Sequence, residues 1–206
     1  MAAKARKKVP MDLEAVRKAA PEFNAVVGVD ASISNTGVSV YEPRMGMYPV
    51  RIRSVETIAR GQDHFSRNGR MVESSDAIGA RVPYNSLVLM EGPSYGSPGS
   101  SFHDLAGHWW RTYDRLVTGW SKVIVVPPGN LKKFATGSGA ANKEAVMLAA
   151  VRRWPDLKII DNNTSDAAVL MQMGRTLLGW ADFDMPMVNM EAFDALDMVI
   201  PWKVEP

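Results

Sequence analysis

The sequence predicts a single α/β domain on a mixed five-stranded sheet, an antiparallel meander extended by parallel strands and flanked by helices. Two observations lead there. Three apolar runs follow one another between residues 25 and 58 with only turn-forming residues between them, and from residue 63 onward helical periodicity alternates with two further apolar runs. A chain of 206 residues that is 46% hydrophobic supports one sizeable core and is too short for two large lobes.

Residues 1–24 read as a basic lead-in, with a short helix over residues 11–20 ended by Pro21. Lys4, Arg6, Lys7, Lys8, Arg17 and Lys18 gather there, as an arm that either screens phosphates or stays solvated. The domain proper spans residues 25–180. Its first strand, residues 25–30, is a valine-rich run suited to a central buried position. Residues 36–41 and 50–58 supply the next two strands, separated by a turn around Pro43, Gly46 and Pro49. A helix between Asp63 and Arg81 precedes a fourth strand, residues 87–90, which stops at Glu91-Gly92-Pro93 before a Gly/Ser/Pro-rich loop. From Phe102, the positions Leu105, Ala106, Trp109, Trp110, Tyr113, Leu116 and Val117 recur at three and four residues. That spacing marks an amphipathic helix and assigns its aromatic residues to packing or to a dimer face. Residues 123–126 form the fifth strand, capped by Pro127-Pro128. Helices over residues 141–154 and 164–178 complete the order βββαβαβαα. The Met- and Asp-rich residues 181–206 form a tail of no assigned structure, its methionines suited to core filling or a partner surface.

Composition excludes some chemistry. The absence of cysteine removes disulfides, thiolate metal sites and cysteine nucleophiles. A net charge of +2 does not by itself indicate an anionic partner. No stretch approaches the roughly 18 apolar residues of a membrane span, and no apolar run follows the basic start, so a soluble cytoplasmic protein without a membrane partner is expected.

Asp30 and Glu91 each end an apolar strand, and ligands of open α/β sheets gather outside the carboxyl ends of strands. A carboxylate there is costly to bury without a cation or hydrogen-bond donors. The alternative for Asp30 is a turn carboxylate accepting from the amides of Ser32 or Ile33. For Asp166 it is a first-turn acid on a helix capped by Asn163 or Thr164. Spacing alone leaves both readings open.

The stretch Val26-Val27-Gly28-Val29-Asp30-Ala31-Ser32-Ile33-Ser34-Asn35-Thr36-Gly37-Val38-Ser39-Val40 resembles the opening β-hairpin of the RuvC-like Holliday junction resolvases. Leu87-Val88-Leu89-Met90-Glu91 resembles their acidic fourth strand. Residues 130–143, which include Lys132, Lys133 and Lys143, resemble their lysine-rich loop entering a helix. Asn163-Thr164-Ser165-Asp166-Ala167-Ala168-Val169-Leu170 resembles their terminal helix. The matches fall in family order over roughly residues 26–178. One departure is Asn163, which stands where many relatives carry the first acid of a pair, with Asp161 close enough in sequence to substitute.

The resemblance implies an RNase H-like fold and a metal-dependent endonuclease that resolves four-way junctions, leaving 5′-phosphate and 3′-hydroxyl nicks. It implies two Mg2+ or Mn2+ ions per site, held by Asp30, Glu91 and Asp166 with Asn163 as a further ligand. Lys143 joins the catalytic set, and Lys132, Lys133, Lys143, Tyr95 and Phe102 contact DNA. A homodimer acting on branched DNA is expected, and the compact size would suit a phage-encoded member. His103 or His108 is a remoter candidate base. A broader debranching nuclease and a non-catalytic junction-binding protein are the alternatives, the second motivated by Asn163. Asp30 with Ser32, Asn35, Thr36 and Gly37 also resembles the phosphate-binding hairpin of sugar-kinase and actin-like ATPases, against which stand the chain length and the want of a second phosphate loop.

Overall fold

Strand β1 (Ala25–Asp30) lies at the centre of a five-stranded sheet of order β3-β2-β1-β4-β5 in a computed structural model that describes residues 13–18, 20–93, 102–194 and 196. On one side β2 (Asn35–Tyr41) and then β3 (Val50–Glu56) pair antiparallel; on the other β4 (Ser86–Glu91) and β5 (Lys122–Val126) pair parallel. The helices are α1 (Leu13–Lys18), α2 (His64–Gly79), α3 (Phe102–Thr118), α4 (Pro128–Thr136), α5 (Lys143–Arg153), α6 (Asn162–Leu178) and α7 (Met187–Met190). This is the mixed five-stranded α/β arrangement the strand spacing predicts.

The period-two alternation of each strand divides the sheet into two apolar faces. Ala25, Val27, Val29, Val38, Val40, Val88 and Met90 meet Ile78 of α2 and Trp109 and Leu116 of α3. Val26, Leu87, Leu89, Ile124 and Val126 face the other way, toward α6 and the helices around it. Strands β1 and β4 are buried on both faces, which explains why they read as continuous apolar runs rather than alternating ones. Helix α6 is buried along nearly its whole length, and it carries the buried polar residues Thr164, Ser165, Asp166, Gln172 and Arg175 among its apolar ones.

Two stretches differ from the sequence reading. Residues 130–143 are not a loop entering a helix: α4 occupies Pro128–Thr136 and ends at Gly137, whose φ of 86° makes a left-handed cap, before α5 begins at Lys143. Pro128 therefore opens a helix at a position where its missing N–H costs nothing, instead of merely closing β5. The described residues after Gly179 are also structured. Ala192, Phe193 and Leu196 are buried in the same cluster as Val26 and Leu170, and Val16, Ala20 and Phe23 join it from the other end of the chain. The core thus draws on residues outside 25–180 at both ends. Of the N-terminal basic residues, Lys4, Arg6, Lys7 and Lys8 lie outside the described residues. Arg17 and Lys18 are exposed on α1. No helix among the described residues is long and apolar enough to cross a membrane.

Candidate metal centre

Strand register brings the first two acids together. Val29 pairs with Met90 across the parallel β1–β4 ladder, so Asp30 and Glu91 are the next residues on neighbouring strands. Both share parity with Val26 and Leu89, which places them on the α6 face of the sheet at its carboxyl edge.

The third acid arrives because α6 lies unusually close to that face. A Cβ on Gly28 would overlap the Ala167 carbonyl oxygen and stand 2.5 Å from the Met171 amide nitrogen. One on Gly37 would overlap the Asn163 carbonyl oxygen and stand 2.6 Å from its carbon, while one on Gly174 would crowd the side chains of Val26 and Leu89. Helix and sheet therefore touch backbone to backbone, as only glycine permits. Asp161 starts α6 as a capping box, accepting from the Thr164 amide at 2.8 Å. The helix so started carries Asp166, just past its first turn and not within it, to the carboxyl end of β1. Carboxylate oxygens of Asp30, Glu91 and Asp166 all lie within 4.8 Å of one another.

These acids sit in a cavity of about 530 Å³, lined also by Ser32, Asn163, Lys132 and Lys143. Asp30 and Asp166 are only 8% and 9% exposed, so their charges are poorly hydrated. Burial, then the neighbouring Glu91 carboxylate, pushes Asp30 well above the ordinary carboxylate range, against an opposing pull from Lys143. Side-chain hydrogen bonding between the two carboxyls raises Asp30 further and opposes the burial that raises Glu91. Asp166 is pushed up to about 7 by burial and by Asp30. Three hard oxygen donors that repel one another in a poorly hydrated pocket fit a divalent cation such as Mg2+ or Mn2+.

A pH dependence follows for the metal-free protein. Carboxylates whose folded pKa is raised stabilise the fold below their unfolded pKa and lose that contribution as pH rises through the folded value. His108 works in the opposite sense, since burial pushes it down to about 4, so its penalty is complete below about 4 and relieved by about 6.5. Above about 6.5 the acids act alone. Metal-free stability should fall by about 1 kcal/mol or more between about pH 6.5 and 8, and saturating Mg2+ should cancel the fall. Scanning calorimetry with EDTA and with Mg2+ checks this; a flat metal-free profile would contradict it.

The remaining candidates separate. Lys143, the first residue of α5 behind the Asn142 cap, stands near enough to lower all three acids, and Lys132 acts on Glu91 and Asp166. Asn163 and Phe102 line the cavity. Lys133 does not; it turns to pair with Glu191. Asp161 is occupied as the helix cap and accepts from Asn35 Nδ2 at 3.2 Å, so the cap falls to it rather than to Asn163 or Thr164. The turn reading of Asp30 loses one donor, because the Ser32 amide bonds to Thr36 Oγ1. His108 is buried between α2 and α3 with Nε2 2.8 Å from Ser74 Oγ, and His103 is exposed and lines no part of the cavity; neither is placed to act as a base there. Tyr95 lies outside the described residues.

One contributor escaped the sequence reading. Trp109 stacks on Tyr113 as a packing residue should, yet its Nε1 also donates to the Glu91 carbonyl oxygen at 2.8 Å and fixes the end of β4. Trp110, 63% exposed, stands at the cavity wall rather than in the core.

No family model matches this chain, and no curated protein sequence gives a significant match. Solved structures do. The Thermus thermophilus RuvC structure superposes with a TM-score of 0.54 at 18% identity, covering 76% of this chain and 98% of that one. Thermus thermophilus RuvC in complex with Holliday junction substrate gives 0.53 at 17% identity, covering 76% and 97%. The chain therefore has a RuvC-like, RNase H-like fold.

Proposed function

We propose that this chain is a divalent-metal-dependent endodeoxyribonuclease that cuts branched DNA, four-way junctions foremost. The observation that carries the reading is the convergence of Asp30, Glu91 and Asp166 in one cavity beside Lys132 and Lys143, on a fold shared with a protein solved on Holliday junction substrate.

Asp30, Glu91 and Asp166 would hold the metal, with the Asn163 side chain at hand as a neutral oxygen donor. When bound, the divalent cations, two in this reading, supply charge neutralisation for the scissile phosphate and an acidified water. The protein's own part is positional. Lys132 and Lys143 stand as fixed cations at the wall of an anionic pocket, suited to draw in a phosphodiester that the acids alone would repel. The capping box of α6 and the Trp109–Glu91 contact hold the acids without relying on flexible loops. Phe102 and Lys143 at the cavity edge suit contact with DNA strands that leave the stack at a branch point. A homodimer would present two such cavities to the two symmetric strands of a junction.

The test is a panel of end-labelled substrates in Mg2+: four-way junction, three-way junction, flap and linear duplex. Junction cleavage about 100-fold or more above duplex, leaving 5′-phosphate ends, is expected. Equal cutting of every branched substrate would broaden the function to debranching. Binding without cutting in Mg2+ and Mn2+ alike would leave a junction-binding protein and sink the enzyme.

A further inference from the structure

We infer that residues 186–194 are a positioning element for Lys132, acting through Asn130 and Asn189; this rests on the nuclease reading above. The starting point is the weakness of α4. Its nine residues fall below the roughly 12–15 at which an isolated helix becomes even marginal, and its N-cap, Pro127, offers no side-chain hydrogen bond. The helix is instead held from outside. Asn130 Nδ2 in its first turn donates to the Ala192 carbonyl at 2.6 Å. At the other end Asn189 Nδ2 donates to the Phe134 carbonyl at 2.7 Å, one of the last carbonyls that a helix cannot satisfy itself. Arg153 of α5 serves the next one, Ala135, at 3.2 Å. Asn189 is 3% exposed, so its amide was taken out of water to make this contact.

Rotation about the helix axis is fixed as well. Lys132 and Lys133 are successive residues, about 100° apart around α4. Lys133 pairs with Glu191 of the same C-terminal segment, while Lys132 lines the cavity with Leu131. Gripping α4 at its first turn, its last turn and Lys133 leaves one orientation for Lys132, toward the acids. Asn130 and Asn189 touch neither the cavity nor the acids, so they are positioning residues and not catalytic ones.

The test is a double-mutant cycle on junction cleavage in Mg2+, comparing wild type, Asn189→Ala, Lys132→Ala and the double variant, with single-turnover rate at saturating DNA and junction affinity measured separately. Asn189→Ala should slow cleavage about 10-fold, change affinity little, and cost nothing further once Lys132 is gone. A purely structural role would reduce active enzyme by the same factor in both backgrounds. Losses that multiply, or an unchanged rate, therefore overturn the inference. Asn130→Ala, partly buried at the opposite end of α4, runs the same cycle if Asn189→Ala does not fold. A wild type inert on all branched DNA would sink the nuclease reading itself, whereas an active wild type with multiplying losses sinks this inference alone.

Discussion

Asp30→Asn should abolish junction cleavage, by about 1,000-fold or more, and at the same time raise the melting temperature of the metal-free protein. The two effects share one cause. Asp30 is the most buried charge of the cluster and faces Glu91 and Asp166, so its ionised form is needed to hold a cation and is a liability without one. Asparagine keeps the volume and removes the repulsion. In a domain of this size each 1 kcal/mol so relieved is worth about 2–4 °C, and the gain should be larger at about pH 8 than at about pH 5, where the site is more protonated. Mg2+ should raise the melting temperature of wild type and leave the variant unmoved. A variant that melts lower than wild type in EDTA would show that Asp30 serves the fold and not a metal.

Gly28→Ala should be nearly as damaging, though it removes no functional group. The added methyl would lie against the Ala167 carbonyl and the Met171 amide, backbone atoms that cannot step aside as a flexible side chain can. Helix α6 would have to lift from β1 and carry Asp166 with it. Overpacking typically costs about 1–3 kcal/mol, and a clash against backbone belongs at or above the upper end. Misplacement of a reacting group by about 1 Å can cost about 100-fold in rate, so the folded fraction should also be a poor nuclease. Denaturant unfolding and cleavage per folded molecule check the two parts. Wild-type stability with wild-type cleavage would mean that α6 is free to shift, and would undercut the argument that glycines seat Asp166.

The sheet was legible because buried strands leave a plain mark. The valine-rich run of residues 25–30 and the apolar run of residues 87–90 correspond to β1 and β4, and the acids ending them fall on adjacent strands. That the two could face each other followed from their places at strand ends, whereas which face of the sheet they share depends on register and shows only in the structure. Helix α4 was hidden because Pro127-Pro128 reads equally well as the end of a strand and the start of a helix, and the lysines inside it read as loop. The C-terminal segment left no periodic trace: α7 is four residues long, and its hold on the core runs through Ala192, Phe193 and Leu196 beyond the helix. Trp109 followed the helical period of a packing residue, and nothing in that period announces a ring nitrogen bonded to the Glu91 carbonyl. Lys133 and Lys132 look alike in sequence and part only when the helix turns one to Glu191 and the other to the acids.

The central claim is that three carboxylates from β1, β4 and α6 form one divalent-metal centre. Calorimetric titration of Mn2+ into EDTA-stripped protein, run on wild type and on Asp30→Asn, Glu91→Gln and Asp166→Asn, measures it directly. Saturable binding by wild type that is weakened about tenfold or more in each of the three variants is the predicted result. Wild-type Mn2+ affinity in any one of them would contradict it.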